Sequence, residues 1–183
     1  MRGTVWTVLA VGALVAGIGG MFAGPAATSA VPSTKPVAAV HDTRVVASPK
    51  LPPASGTGRR IVFDQSDQRV WLVSSSGKVT RSYLVTGSNR GNVRPGVYSV
   101  KSKTRFARTY GGGGTLEYFV KFTQGHTAAI GFHAVTRRTN GTLVYARQDL
   151  GAAHTPGCVE AMRNDAAALW NFAPVGTPVV VTT

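Results

Sequence analysis

The only cysteine of the sequence, Cys158, directly follows a glycine in the short stretch of residues 153–160. A histidine, His133, ends an apolar run of β type at residues 128–133. A thiol becomes a strong nucleophile when a neighbouring histidine takes its proton. A glycine before the nucleophile lets a substrate backbone approach closely. This pattern predicts attack of Cys158 on an amide carbonyl, with His133 brought to it by the fold.

The residues alone leave open which histidine acts as the base and whether the thiol has another role. His154 lies closer to Cys158 in sequence and is the alternative base, while His133 is also compatible with a structural role at a strand end. His126 and His41 are expected at the surface. A metal site would need Cys158 and two histidines, but no pair of ligands has the compact spacing that is typical of such sites, so we expect no metal.

Charge and composition limit the classes of partner. The chain has 183 residues, which favours one domain with extensions, and 43% hydrophobic residues, which is enough for a core. Its formal charge of +13 predicts attraction to polyanions such as nucleic acid, anionic lipid headgroups or anionic cell-wall polymers.

The N-terminus narrows that choice. A positive start at Met1 and Arg2 precedes an uncharged apolar stretch at residues 4–22 and small residues up to Ala30. This is typical of a secretory signal peptide over residues 1–30, the alternative being an uncleaved membrane anchor. Either way the body of the protein is expected outside the cytoplasm, so nucleic acid is not an expected partner. A single cysteine in an exported protein favours a working thiol over a purely structural one.

The rest of the chain divides into a linker and a domain. Residues 31–58 carry several prolines and no sustained apolar period, which predicts a flexible linker, and the folded domain is expected over residues 59–183. Short β-type runs predict strands at 60–64, 70–74, 79–86, 97–101, 117–123, 127–133 and 176–182. A glycine run at 111–114 predicts a mobile loop, and 136–154 a long polar connection.

One helix stands out near the C-terminus. Residues 164–172 combine good helix formers with Asn164 as the expected N-cap and Asp165 at the positive end of the helix dipole. The predicted fold class is therefore mainly β, a sandwich or barrel-like sheet with one clear α-helix.

Several motifs appear in a characteristic order from Arg59 to Thr183. They are residues 84–87 (LVTG), 94–100 (RPGVYSV), 130–133 (IGFH), 155–159 (TPGCV), 164–166 (NDA) and 176–179 (GTPV). A glycine and cysteine alone would carry little weight, but the ordered set is similar to the catalytic domain of the L,D-transpeptidases, which cross-link bacterial peptidoglycan. The resemblance implies a mixed β-sandwich or barrel-like fold of that family.

The resemblance also assigns roles. It implies Cys158 as nucleophile and His133 as general base, with the backbone carbonyl of Ala134 orienting the imidazole. Backbone N–H groups of Gly157 and Cys158 would form the oxyanion hole, and Thr155 takes the family's Ser/Thr position.

This sequence departs from the family at three points. Pro156 replaces a frequent histidine and has no N–H to donate. Glu160 stands where the family usually has Arg or Asn, so we expect it to select against donor groups that present a carboxylate. The connection between His133 and Cys158 is longer than usual. Arg163 and Tyr118 are further substrate-binding candidates, although a solvated arginine and a core tyrosine are the alternatives.

These observations predict an exported enzyme that attacks an m-diaminopimelate-type residue of a peptide stem and passes the acyl group to the amine of a second stem. No cofactor is implied. Expected partners are peptide stems, anionic wall polymers and carbapenem inhibitors, and the protein is expected to be a monomer. The alternatives are a wall-binding module with weakened catalysis, motivated by Pro156 and Glu160, and a cysteine peptidase or hydrolase that uses the same two residues.

Overall fold

The computed structural model describes residues 49–88 and 91–183. The strands are β1 (Arg60–Asp64), β2 (Arg69–Val73), β3 (Val79–Leu84), β4 (Gly96–Ser99), β5 (Ser102–Arg108), β6 (Gly114–Gln124), β7 (Ala129–Ala134), β8 (Arg137–Arg138), β9 (Val159–Ala161) and β10 (Pro178–Thr182). One α-helix, α1 (Arg163–Phe172), lies between β9 and β10, and a short 3-10 helix spans Arg147–Asp149.

The strands form two mixed sheets. The first has the order β3-β2-β1-β10-β4, with β1 and β10 parallel and the other pairs antiparallel. The second has the order β5-β6-β7-β9, with β7 and β9 parallel and the short β8 paired to β6. The predicted class, a mainly β mixed sandwich with one helix near the C-terminus, is confirmed.

The main core lies between the two sheets. Alternate residues of β1, β2 and β10 face alternate residues of β6 and β7, as the period of two in a strand requires, and Ala166 and Leu169 of α1 close one side. Phe132 of β7 makes contacts with Phe63 of the first sheet, at a ring-centroid distance of 6.4 Å, and with Phe122, at 4.9 Å. His133 is therefore preceded by a residue fixed in the core.

The packed chain starts ahead of the predicted boundary at Arg59. Trp71, Val62 and two valines form a second apolar cluster on the outer face of the first sheet, and Leu51 packs against it. The indole N–H of Trp71 donates to the carbonyl oxygen of Pro49 at 3.0 Å, and buried Arg60 donates to the carbonyl oxygen of Ser55 at 2.6 Å. The last ten residues assigned to the linker, 49–58, thus belong to the folded unit.

The start of the helix differs from the prediction. The helix begins at Arg163 with Met162 as N-cap, and no side chain caps it, so the prediction of Asn164 as N-cap is wrong. Asp165 does lie in the first turn, where its carboxylate accepts hydrogen bonds from Arg81 at 2.6 and 2.9 Å. The start of the helix follows from the position of β9, which ends only two residues before the helix begins.

Three strands were not predicted from the sequence. β5 consists mostly of polar residues and is an edge strand, β8 has only two residues, and β9 has only three. The predicted glycine loop is shorter than expected because Gly114 already belongs to β6. Within residues 49–88 and 91–183 no helix has the length and apolar character needed to cross a bilayer. The predicted signal peptide or anchor, residues 1–30, and the linker up to residue 48 lie outside the described residues.

Candidate active site

Cys158 lies between a tight turn and β9, at the edge of the second sheet. β9 runs parallel to β7, and its register places Glu160 beside His133. Because alternate residues of a strand share a face, Cys158 and Glu160 lie on one face together with His133. The thiol is half-buried and unpaired by any disulfide, whereas His133 is 2% exposed. The fold thus brings the two predicted catalytic side chains together.

His133 is held by contacts on three sides. Its Nδ1 lies 2.7 Å from the carbonyl oxygen of Ala134. Since a carbonyl oxygen only accepts, Nδ1 must carry the proton, and the remaining nitrogen, Nε2, is the one left for the side-chain hydrogen bond to Cys158. The ring of Phe119 packs against the imidazole at a centroid distance of 5.9 Å. These contacts fix both the orientation and the tautomer of the ring.

The surroundings favour the protonated imidazole. Burial alone lowers the pKa of His133, but the hydrogen bond to Cys158, the negative charges of Cys158 and Glu160, and the Ala134 carbonyl together raise the pKa to about 9. A thiolate beside an imidazolium is the reactive form of a cysteine nucleophile. The geometry therefore suits a thiolate that attacks and an imidazolium that returns its proton to a leaving group.

The turn before Cys158 is braced by Thr155. Its hydroxyl donates to the carbonyl oxygen of Cys158 and accepts the N–H of Gly157 at 3.3 Å, while its own N–H donates to Gly87 at 3.0 Å. Thr155 is 1% exposed, so its hydroxyl is engaged inside the turn. Pro156 is exposed, and its carbonyl oxygen accepts a hydrogen bond from Asn92.

The two predicted oxyanion donors differ in their present contacts. The N–H of Gly157 is already directed to the Thr155 hydroxyl. The N–H of Cys158 has no hydrogen-bond partner among the residues that the structure describes. Cys158 therefore supplies the free backbone donor beside its own Sγ, and Gly157 would have to release Thr155 in order to supply a second.

A cavity of about 480 Å³ opens onto the thiol. Its walls come from the β5–β6 hairpin, the start of β7, and the turn before β9, and they include Arg108, Tyr110, Phe119, His133, Thr136, Thr155, Pro156, Cys158 and Glu160. The Sγ of Cys158 lies 3.8 Å from the carbonyl oxygen of Ala129. His154, the alternative base, does not line this cavity; it is exposed, and its ring stacks on Tyr145 at 5.6 Å.

Tyr118 and Arg163, both predicted substrate contacts, do not line the thiol cavity. Tyr118 has a positive φ of 60° and packs against Trp170 at 6.0 Å, with the Arg105 guanidinium 3.7 Å from its ring. Arg163 forms an ion pair with Glu117 at 3.0 Å and lines a neighbouring, larger cavity of about 680 Å³. Both side chains are therefore engaged away from the thiol.

Two residues of the site were missed in the sequence. Thr136 donates its N–H to the Glu160 carboxylate at 2.9 Å, and nothing in its local sequence indicates that contact. Gly131 lies where β7 meets β6, and a Cβ there would be 2.5 Å from the carbonyl oxygen of Val120 and 2.8 Å from the ring of Phe119. The sequence does contain a signal for Gly131, because a glycine inside a predicted strand indicates close backbone approach.

Comparison with known proteins identifies the family of this chain. The family model described as the L,D-transpeptidase catalytic domain matches residues 58–181, so this chain belongs to that family. A search of the curated proteins found no match.

Three solved structures illustrate the similarity of the fold. The L,D-transpeptidase of Stackebrandtia nassauensis is 20% identical with a TM-score of 0.54, covering 69% of this chain and 56% of its own. That of Mycobacterium smegmatis is 16% identical with a TM-score of 0.55, covering 70% and 60%. L,D-transpeptidase 3 of Mycobacterium tuberculosis, solved with a faropenem-derived adduct, is 18% identical with a TM-score of 0.52, covering 70% and 61%. This chain therefore spans only 56–61% of the length of these proteins.

Proposed function

We propose that this protein is an exported L,D-transpeptidase that uses Cys158 to cross-link or remodel peptidoglycan peptide stems. The observation that carries the proposal is that Cys158 and His133 line one cavity of about 480 Å³, where Cys158 lies close enough to raise the pKa of the buried imidazole. Family membership supports the reaction class, and the predicted signal peptide over residues 1–30 supports export.

The first half of the reaction forms a thioester. The Cys158 thiolate attacks the donor carbonyl, the bond to the terminal residue breaks, and the departing amine takes its proton from the His133 imidazolium. During attack the carbonyl oxygen becomes negative, and the free N–H of Cys158, next to the attacking sulfur, can donate to it. Gly157 donates the second hydrogen bond to this oxygen once its N–H has moved away from the Thr155 hydroxyl.

The second half transfers the acyl group. The neutral amine of a second stem attacks the thioester, His133 takes its proton, and the thiolate leaves with a new amide bond formed. Water in place of the amine gives hydrolysis by the same steps. His133 gives one proton in the first half and recovers one in the second. The protons therefore balance over the whole reaction, and no cofactor is required.

Partners follow from the same chemistry. Carbapenems present a strained amide to a nucleophile, and an L,D-transpeptidase of the same fold, LdtMt1, has been solved in complex with the carbapenem imipenem. We therefore propose that carbapenems acylate Cys158. The charge of +13 would retain a monomeric enzyme on anionic wall polymers.

The direct test incubates the purified protein with a donor tetrapeptide stem and an excess of acceptor stem, followed by mass spectrometry. We expect release of the terminal residue and a product whose mass is that of the joined stems. Release without joining would identify a hydrolase. Neither product, in a protein that still binds peptidoglycan, would contradict the proposal and favour a wall-binding module.

A further inference from the structure

Glu160 supplies the only carboxylate among the described residues that line the thiol cavity. Its side chain is 7% exposed, and its backbone is held on both sides. On one side it pairs with β7 at His133, and on the other its N–H and carbonyl exchange hydrogen bonds with Thr86 at 2.8 and 2.9 Å. The carboxylate therefore has a fixed position beside the reacting sulfur.

The hydrogen bonds to Glu160 leave part of its capacity unused. An ionised carboxylate accepts about four hydrogen bonds. The N–H of Thr136 donates one at 2.9 Å, and the Thr136 hydroxyl donates a weak one at 3.4 Å. Each of the three salt bridges within residues 49–88 and 91–183 involves another carboxylate. A buried negative charge without a cation in contact is unfavourable, so a ligand cation would be stabilised there.

Arg108 lines the same cavity, but no arginine, lysine or histidine of the described residues forms a salt bridge with Glu160. The negative charge of Glu160 helps to raise the pKa of His133, but the imidazole is engaged with Cys158 and Ala134. Tyr145 lies on the side of the long connection, where burial and the charge of Glu160 raise its pKa.

We propose, on the basis of the function proposed above, that Glu160 binds a protonated primary amine at the side-chain end of the donor diamino acid. The residue whose carbonyl meets Sγ must have its side chain within the same cavity. Because Cys158 and Glu160 are two positions apart and line the same cavity, a donor side chain held in that cavity can reach the carboxylate. A carboxylate at the end of the donor side chain would be repelled, so an amidated stem fits the site better.

The test compares two donor tetrapeptides that differ in one group. In both, the side-chain carboxylate of the diamino acid is amidated; in one the side-chain amine is free, and in the other it is acetylated. The measurement is kcat/KM for release of the terminal residue, for the wild type, for Glu160→Gln and for Glu117→Gln as the matched control. Glu117→Gln removes the same charge as Glu160→Gln, but Glu117 lines the neighbouring cavity.

We expect the wild type to prefer the free amine by about tenfold or more, the range of a hydrogen bond between charged groups. Glu160→Gln should bring this ratio close to one, and Glu117→Gln should keep the wild-type ratio. A ratio of kcat/KM near one in the wild type would overturn the inference, and this outcome requires no variant. An unchanged ratio in folded Glu160→Gln would also overturn it. If neither donor is turned over, the proposed function fails and the inference falls with it.

Discussion

Nδ1 of His133 donates to the carbonyl oxygen of Ala134, the next residue in the chain, across 2.7 Å. The imidazole is oriented here by the backbone of its own strand, with no need for a third polar side chain. The arrangement requires that Ala134 stay in the strand, and β9 ensures this by pairing Ala134 with Ala161. The strand pairing that carries Cys158 to the site therefore also orients the His133 imidazole.

The first prediction separates the two candidate bases. We expect His133→Ala to lower the rate of Cys158 acylation by a carbapenem about 10²-fold or more, the range of a lost general base. His154→Ala is the matched control, and because His154 is exposed and stacked on Tyr145 it should cost far less. Stopped-flow kinetics measure the rates, with circular dichroism to verify folding. Normal acylation in folded His133→Ala, together with slow acylation in His154→Ala, would exchange the two roles.

The second prediction concerns pH and stability. The pKa of His133 is raised to about 9 in the folded protein, against about 6.5 when unfolded. The raised pKa stabilises the fold fully below pH about 6.5, and that stabilisation is lost as the pH rises to about 9. In Cys158→Ser the negative sulfur is absent, so Tm should fall less steeply over this range than in the wild type. Parallel Tm curves for the two proteins would show that the thiolate does not hold the proton on His133.

The third prediction tests the close contact at Gly131. A Cβ at this position would collide with the Val120 carbonyl and with the Phe119 ring that packs on His133. Gly131→Ala should reduce the free energy of unfolding by about 1–3 kcal/mol, as overpacking typically does, and also slow acylation of Cys158. Gly113→Ala is the control, because its added Cβ meets no atom within 4 Å. Equal denaturant midpoints for the two variants would refute this account of the site.

Much of the fold follows from local pattern. Apolar alternation and flanking turn residues predict most strands, and the helix formers after residue 164 predict α1. β5 is not predicted because an exposed edge strand of polar residues has no apolar period, and β8 and β9 are not predicted because two or three residues carry no periodic signal. The docking of residues 49–58 depends on Trp71, which lies in a distant part of the chain.

The site is predictable in its chemistry and less so in its geometry. The residue types and the family motifs identify Cys158 and His133. They do not reveal that Thr136 would hold Glu160, that the Gly157 N–H would turn to Thr155, or that Arg163 would pair with Glu117. Each of these contacts joins segments whose separation is set by strand pairing or by a tight turn, and short-range sequence pattern carries no information about it.

The fourth prediction addresses the central claim, that Cys158 is a nucleophile activated within this cavity. The measurement is the intact mass of the purified protein after incubation with a carbapenem, for the wild type and for Cys158→Ser. A hydroxyl has a much higher pKa than a thiol, so the same base activates it poorly, and the serine variant should lose acylation by about 10³-fold or more while keeping its circular dichroism spectrum. The account predicts the added mass of one carbapenem on the wild type, mapped to Cys158 by peptide analysis, and none on the variant. An unmodified wild type, or an adduct that forms equally well on Cys158→Ser, would contradict it.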